Sequence, residues 1–75
     1  MSLSDPARLA KHSVRIAGHR TSVSLEDAFW DELKTIAKVR NVSINDLVAE
    51  IDEARSGNLS GALRVYVLEW IKRAS

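Results

Sequence analysis

Arg20-Thr21-Ser22-Val23-Ser24-Leu25-Glu26-Asp27 is the stretch in which a two-residue rhythm hands over to a helical one. Thr21, Val23 and Leu25 alternate with Arg20, Ser22 and Ser24, the period of a strand with one face buried. From Phe29 onward the apolar residues recur at three and four, the period of an amphipathic helix. A short strand with a small, hydrogen-bonding outer face that feeds straight into helices suits a protein that inserts a strand into a nucleic-acid groove.

Upstream, Val14 and Ile16 alternate with Arg15, Gly18 interrupts, and the alternation resumes at Thr21 with its parity reversed. A bulge, or a bend between two short strands, accounts for the reversal. Residues 1–13 carry no clean period and read as a flexible basic arm, in which Ser4-Asp5-Pro6 can open a short helical turn. Downstream, the charges of Glu26 and Asp27 suit a helix N-terminus. The first helix then shows Phe29, Leu33, Ile36 and Ala37 on one face, with Trp30 alongside. Lys34, Lys38 and Arg40 lie toward its C-terminal end, and Asn41 is a left-handed terminator. Ser43 reads as the N-cap of a second helix, with Asp46 three residues on in an approximate capping box. Ile44, Leu47, Val48 and Ile51 form that helix's apolar face. Ser56-Gly57-Asn58 breaks the chain. Ser60 then caps a third helix, Gly61 to about Arg73, which is apolar on most sides and so needs burial or an interface.

At 75 residues the chain is one domain, small enough that self-association helps its stability. It has no cysteine, so disulfides and thiolate metal sites are excluded. No secretory leader and no run long enough to span a membrane are visible, so a cytoplasmic, soluble protein is expected. The net charge of +1 hides an uneven distribution. Residues 1–20 have four bases against one acid, +3; residues 21–53 three against eight, −5; residues 54–75 four against one, +3. A basic segment beside the strand favours a polyanion, whereas the acidic middle is repelled by one.

Strand, helix, short turn with a capping Ser, helix: this order resembles the ribbon-helix-helix DNA-binding proteins of the Arc and MetJ repressor type. The likeness runs from Arg20 to about Ala54. Its most specific elements are Thr21-x-Val23-x-Leu25, Leu33-x-x-Ile36-Ala37 and Asn41-Val42-Ser43-Ile44-Asn45-x-Leu47-Val48. The wider pattern from Gly18 to Trp30, with Asn58-Leu59-Ser60-Gly61-Ala62-Leu63-Arg64, looks like a small bacterial subfamily with an extra C-terminal helix. The resemblance implies a mostly α fold with one short N-terminal strand. Two chains would pair that strand into an antiparallel ribbon within an intertwined homodimer, and the third helix would pack on the same domain. The domain would span residues 14–55, followed by the C-terminal helix within 56–75. Thr21, Val23 and Leu25 would face the helices, while Arg20, Ser22 and Ser24 would contact bases in the major groove of double-stranded DNA. The second helix's N-terminus, at Ser43, Ile44 and Asn45, would meet a phosphate, as would Arg15 and Lys11 of the arm. The function implied is a transcriptional regulator.

Three departures from the pattern shape the alternatives. Two of the three base-facing positions are Ser, the helices are acidic, and the third helix adds apolar surface. They support a rival reading, a dimeric adaptor or antitoxin-like module that binds a protein partner through the C-terminal helix. Arg20, Ser22 and Ser24 would then be the solvated face of an edge strand. No enzyme, metal or cofactor is expected: there is no glycine-rich phosphate loop and no Ser-His-Asp constellation. His12 and His19 have no third ligand nearby and read as exposed or phosphate-facing, Trp30 and Trp70 as core or interface aromatics. Glu50, Asp52 and Glu53 read as a solvated helix face.

Overall fold

Ala17 and Gly18 both take positive φ, 53° and 81°, the backbone of a two-residue hairpin turn whose twist matches antiparallel strands. The reversed parity around Gly18 is therefore a hairpin. In the computed structural model, which describes residues 5–74, strand β1 (Leu9–Ile16) runs antiparallel to strand β2 (His19–Glu26). Their register runs from Ile16 opposite His19 at the turn to Leu9 opposite Glu26 at the far end. Helices α1 (Asp27–Arg40), α2 (Ile44–Ala54) and α3 (Leu59–Ala74) follow.

The order of ribbon and helices, with a third C-terminal helix, agrees with the sequence reading. The difference lies in the origin of the second strand. Both strands of this ribbon come from one chain. The expected arm also ends earlier: Leu9–Ser13 belong to β1, because Ala10 and His12 continue the inward parity of Val14 and Ile16. Residues 1–4 of that arm, Ser4 of the expected turn among them, lie outside the described residues. Asp5 does form a local turn, its Oδ1 accepting from the Ala7 N–H (3.0 Å) and its carbonyl from the Arg8 N–H (2.9 Å).

One face of the ribbon packs on the helices. Val14, Val23 and Leu25 are buried there with Leu33, Ile36 and Ala37 of α1, Leu47, Val48 and Ile51 of α2, and Leu63 and Val67 of α3. Thr21, expected on the inward face, is exposed, since it lies close to the turn. His12 is half-buried on that face, not solvent-facing, and stacks on Trp30 with ring centroids 4.1 Å apart.

Each helix start has its own means of satisfying orphan N–H groups. The first N–H groups of α1, from Asp27 and Ala28, go to the carbonyls of Arg8 and Pro6 (2.9 and 3.0 Å). Helix α1 ends at Asn41 with φ 61°, as expected. The Ser43 hydroxyl accepts from the Asp46 N–H at 3.0 Å and caps α2. For α3 the cap is Asn58, whose Oδ1 accepts from the Gly61 N–H (2.6 Å); the helix starts at Leu59, two residues before the expected position. Ser60 is thereby freed from capping and instead donates to the Ser24 carbonyl at 2.8 Å, fastening α3 to β2.

Two charged clusters tie the helices down. Arg40 donates to both carboxylate oxygens of Glu50 (2.8 and 3.0 Å) and to the Tyr66 hydroxyl (3.0 Å), joining α1, α2 and α3. Arg64 grips Glu26 the same way, at 2.9 and 3.2 Å. No helix among the described residues is long and apolar enough to cross a membrane.

Candidate nucleic-acid interface

The ribbon's second face points away from the helices. On β2 it carries Arg20 and Ser22, both exposed, and Ser24, half-buried where α3 reaches the strand. On β1 the same face carries Lys11, Ser13 and Arg15, all exposed. The register sets these side chains in rows, with Arg15 opposite Arg20, Ser13 opposite Ser22 and Lys11 opposite Ser24. Lys11 and Arg15, expected on a loose arm, therefore stand on the ribbon beside Arg20. Ser13 was missed by sequence reading; the signal was present in the alternation Lys11, Ser13, Arg15, which is the outward complement of His12 and Val14.

The electrostatics of this face have one sign. Arg15 and Arg20 face each other directly, an arrangement that destabilises an isolated ribbon and favours an anion between or above them. Glu26 has the same strand parity and is the acid nearest in sequence to the face, but Arg64 holds it. That hydrogen-bonded guanidinium keeps the Glu26 carboxyl below the usual carboxylate range. The other seven carboxylates of residues 21–53 lie on α1 and α2 and not on the strands, with Asp46 in the first turn of α2 beside Asn45.

The N-terminus of α2 meets the ribbon at its edge. The Asn45 Oδ1 accepts from the Arg15 N–H at 3.2 Å, which turns the rest of the Asn45 amide to the outside. Ser13, Arg15, Arg20 and Asn45 consequently line one shallow polar cavity of about 420 Å³. Ser43 and Ile44 adjoin it in sequence with different roles. The Ser43 hydroxyl accepts from the Asp46 N–H as a cap and keeps its own O–H to donate, whereas the Ile44 side chain packs half-buried on the core and leaves only backbone for a ligand. The first N–H groups of a helix point outward along its axis and suit a phosphate oxygen.

A cationic two-stranded ribbon beside a capped helix N-terminus, with the helix order around it, is the arrangement to compare with known proteins. A family profile described as a ribbon-helix-helix domain matches residues 9–71. The chain belongs to the ribbon-helix-helix family. The matched span begins at the first residue of β1, so it includes both strands and nearly all of α3. Ribbon-helix-helix domains are DNA-binding or regulatory modules, typically dimeric and non-enzymatic. Among solved structures the chain is similar to an uncharacterized protein from Bordetella pertussis Tohama I, with 27% identity and a TM-score of 0.75. The similarity covers 92% of this chain and 60% of that one, so this ribbon-helix-helix chain spans less than two thirds of its neighbour's length. No curated protein matches it.

Proposed function

We propose that this chain is a bacterial transcriptional regulator that acts in the cytoplasm as a homodimer, laying its β-ribbon in the major groove of double-stranded DNA. The observation that carries the reading is the ribbon's outer face: Lys11, Arg15 and Arg20 stand together on it while Glu26 is held by Arg64. Arg20 takes a guanine edge through two parallel hydrogen bonds, and Ser22 and Ser24 add contacts tolerant of several bases. Arg15, Lys11 and the backbone at Ser43, Ile44 and Asn45 hold phosphates and fix the register. The test is a genome-wide occupancy map with the native protein at its normal level. Discrete peaks upstream of genes whose transcription changes on deletion are expected. An empty map would remove the regulatory role.

One observation favours a second reading, the protein-binding adaptor or antitoxin-like module. Val65 and Leu68 of α3 remain 55% and 54% exposed; Val65 lines a groove between α2 and α3 whose apolar floor is Ile51, Ala54 and Ala62 and whose rim carries Glu50, Arg55 and Glu69. The same surface serves the homodimer if a second copy covers it. Sedimentation of the L68D variant separates the two: loss of self-association assigns the surface to the dimer, and unchanged self-association with loss of a co-purifying protein assigns it to the adaptor.

A further inference from the structure

Ser60 and Arg64 lie about one helical turn apart on α3, and Ser24 and Glu26 lie on the same side of β2. The four residues of helix rise about 6 Å and the two of strand about 6.8 Å, so the two spacings match. The helix uses the match at both positions. Ser60 Oγ donates to the Ser24 carbonyl at 2.8 Å, while Arg64 Nε and Nη2 donate to the two carboxylate oxygens of Glu26 at 2.9 and 3.2 Å. These four residues belong to the two stretches, 18–30 and 58–64, that extend beyond the minimal strand-helix-helix pattern.

The Arg64 and Glu26 side chains keep 36% and 29% of their exposure, and an ion pair so solvated adds little to stability. Its larger consequence is electrostatic. Glu26 continues the parity of Arg20, Ser22 and Ser24, so its carboxylate belongs to the ribbon's outer face. Lys11 stands opposite Ser24, which makes Glu26 its diagonal neighbour across the strands, within reach of a long side chain. A free carboxylate at that place repels a phosphate and draws Lys11 away from one. Arg64 prevents both by occupying the two oxygens.

Resting on the DNA-binding reading above, we propose that Arg64 is a positioning residue for DNA binding: without touching the duplex, it neutralises Glu26, leaves Lys11 to the phosphates and keeps the ribbon's outer face cationic. The start of α3 is thereby part of the DNA-binding apparatus, apart from the apolar surface that Val65 and Leu68 present further along the helix.

Affinity for one duplex, measured between 50 and 200 mM salt for the wild type, R64Q, R64Q/E26Q and R73Q, tests this. The carboxylate unmasked in R64Q cancels one phosphate contact. Its log–log slope is therefore expected to be shallower by about one, and its affinity lower by about tenfold at 50 mM and about fourfold at 200 mM. R64Q/E26Q lacks the same tether but has no carboxylate to unmask, and is expected to recover the wild-type slope and an affinity within about twofold. R73Q removes an equal charge from the last turn of α3 and is expected to behave as the wild type. Circular dichroism checks the fold; if R64Q folds poorly, R64M, which keeps the aliphatic stem, carries the comparison. R64Q indistinguishable from the wild type overturns the proposal while leaving DNA binding standing. So does R64Q/E26Q as weak as R64Q, which makes Arg64 a tether or a phosphate contact, or R73Q as weak as R64Q, which leaves net charge alone at work. A wild type that binds no duplex at 50 mM overturns the proposal and the DNA-binding reading together.

Discussion

Arg20 and Arg15 share one row of the ribbon, and the two residues are expected to differ in what their loss does to binding. Arg20→Ala, tested by fluorescence anisotropy on a selected duplex, is expected to cost about 1–3 kcal/mol and to relax preference at one base pair. A uniform loss across unrelated duplexes would show Arg20 to be a phosphate contact instead. Elsewhere, Glu26 and Glu50 have their carboxyl groups held below the usual range by the hydrogen bonds of Arg64 and Arg40 respectively. A depressed folded-state pKa stabilises the fold above the unfolded value, near 4.3 for Glu, and that contribution disappears as pH falls through the folded value. Urea midpoints measured from pH 7 to pH 3 should therefore fall below about pH 4. The E26Q/E50Q variant should show a shallower fall. Both pairs are partly solvated, so the effect is small.

Among the elements, the hairpin turn and the α2 cap carry the clearest local predictions. Ala17 holds φ 53° without being glycine, a conformation that costs an L-residue about 1–2 kcal/mol. Ala17→Asn, better suited to a positive-φ turn, should raise the thermal midpoint; a fall would mean the turn differs in solution. Ser43→Ala removes the acceptor for the Asp46 N–H and should destabilise by ~1 kcal/mol in urea titration. These two places also mark what the sequence could and could not disclose. The Asn41 terminator, the Ser43 cap and the Leu47, Val48, Ile51 face were legible, because cap chemistry and helical period are written in local residue types. The hairpin was legible only in part. The parity reversal at Gly18 allowed a bend between two short strands, but the turn is Ala-Gly, without the Asn-Gly or Asp-Gly signature, and the start of β1 contains Ala10, His12 and Ser13, a composition poor in strand formers. Reading the start of β1 as an arm left Lys11 and Arg15 on it and Ser13 unnoticed. At α3, Ser60 looked like the cap because Ser is a frequent one, but Asn58 precedes it and takes the role, and Ser60 serves the β2 edge.

For the molecule as a whole, the six side chains Leu25, Leu33, Ile36, Leu47, Val48 and Leu63 form a closed core within one chain. Leu47→Ala is expected to cost about 2–5 kcal/mol, a large share of what a domain this size possesses. Calorimetry should find little folded protein left at 37 °C. Net charge said little about function here; folding gathers the basic end of the sequence onto one ribbon face and leaves the carboxylates on the helices. That face is the centre of the account, and its salt dependence tests it most directly. Affinity for a duplex should be measured from 50 to 200 mM salt for the wild type and for K11A/R15A/R20A. The expected result is a log–log slope shallower by about two to three in the triple variant, with weaker binding throughout, as three cations cease to displace counterions. Equal slopes and equal affinities would contradict it.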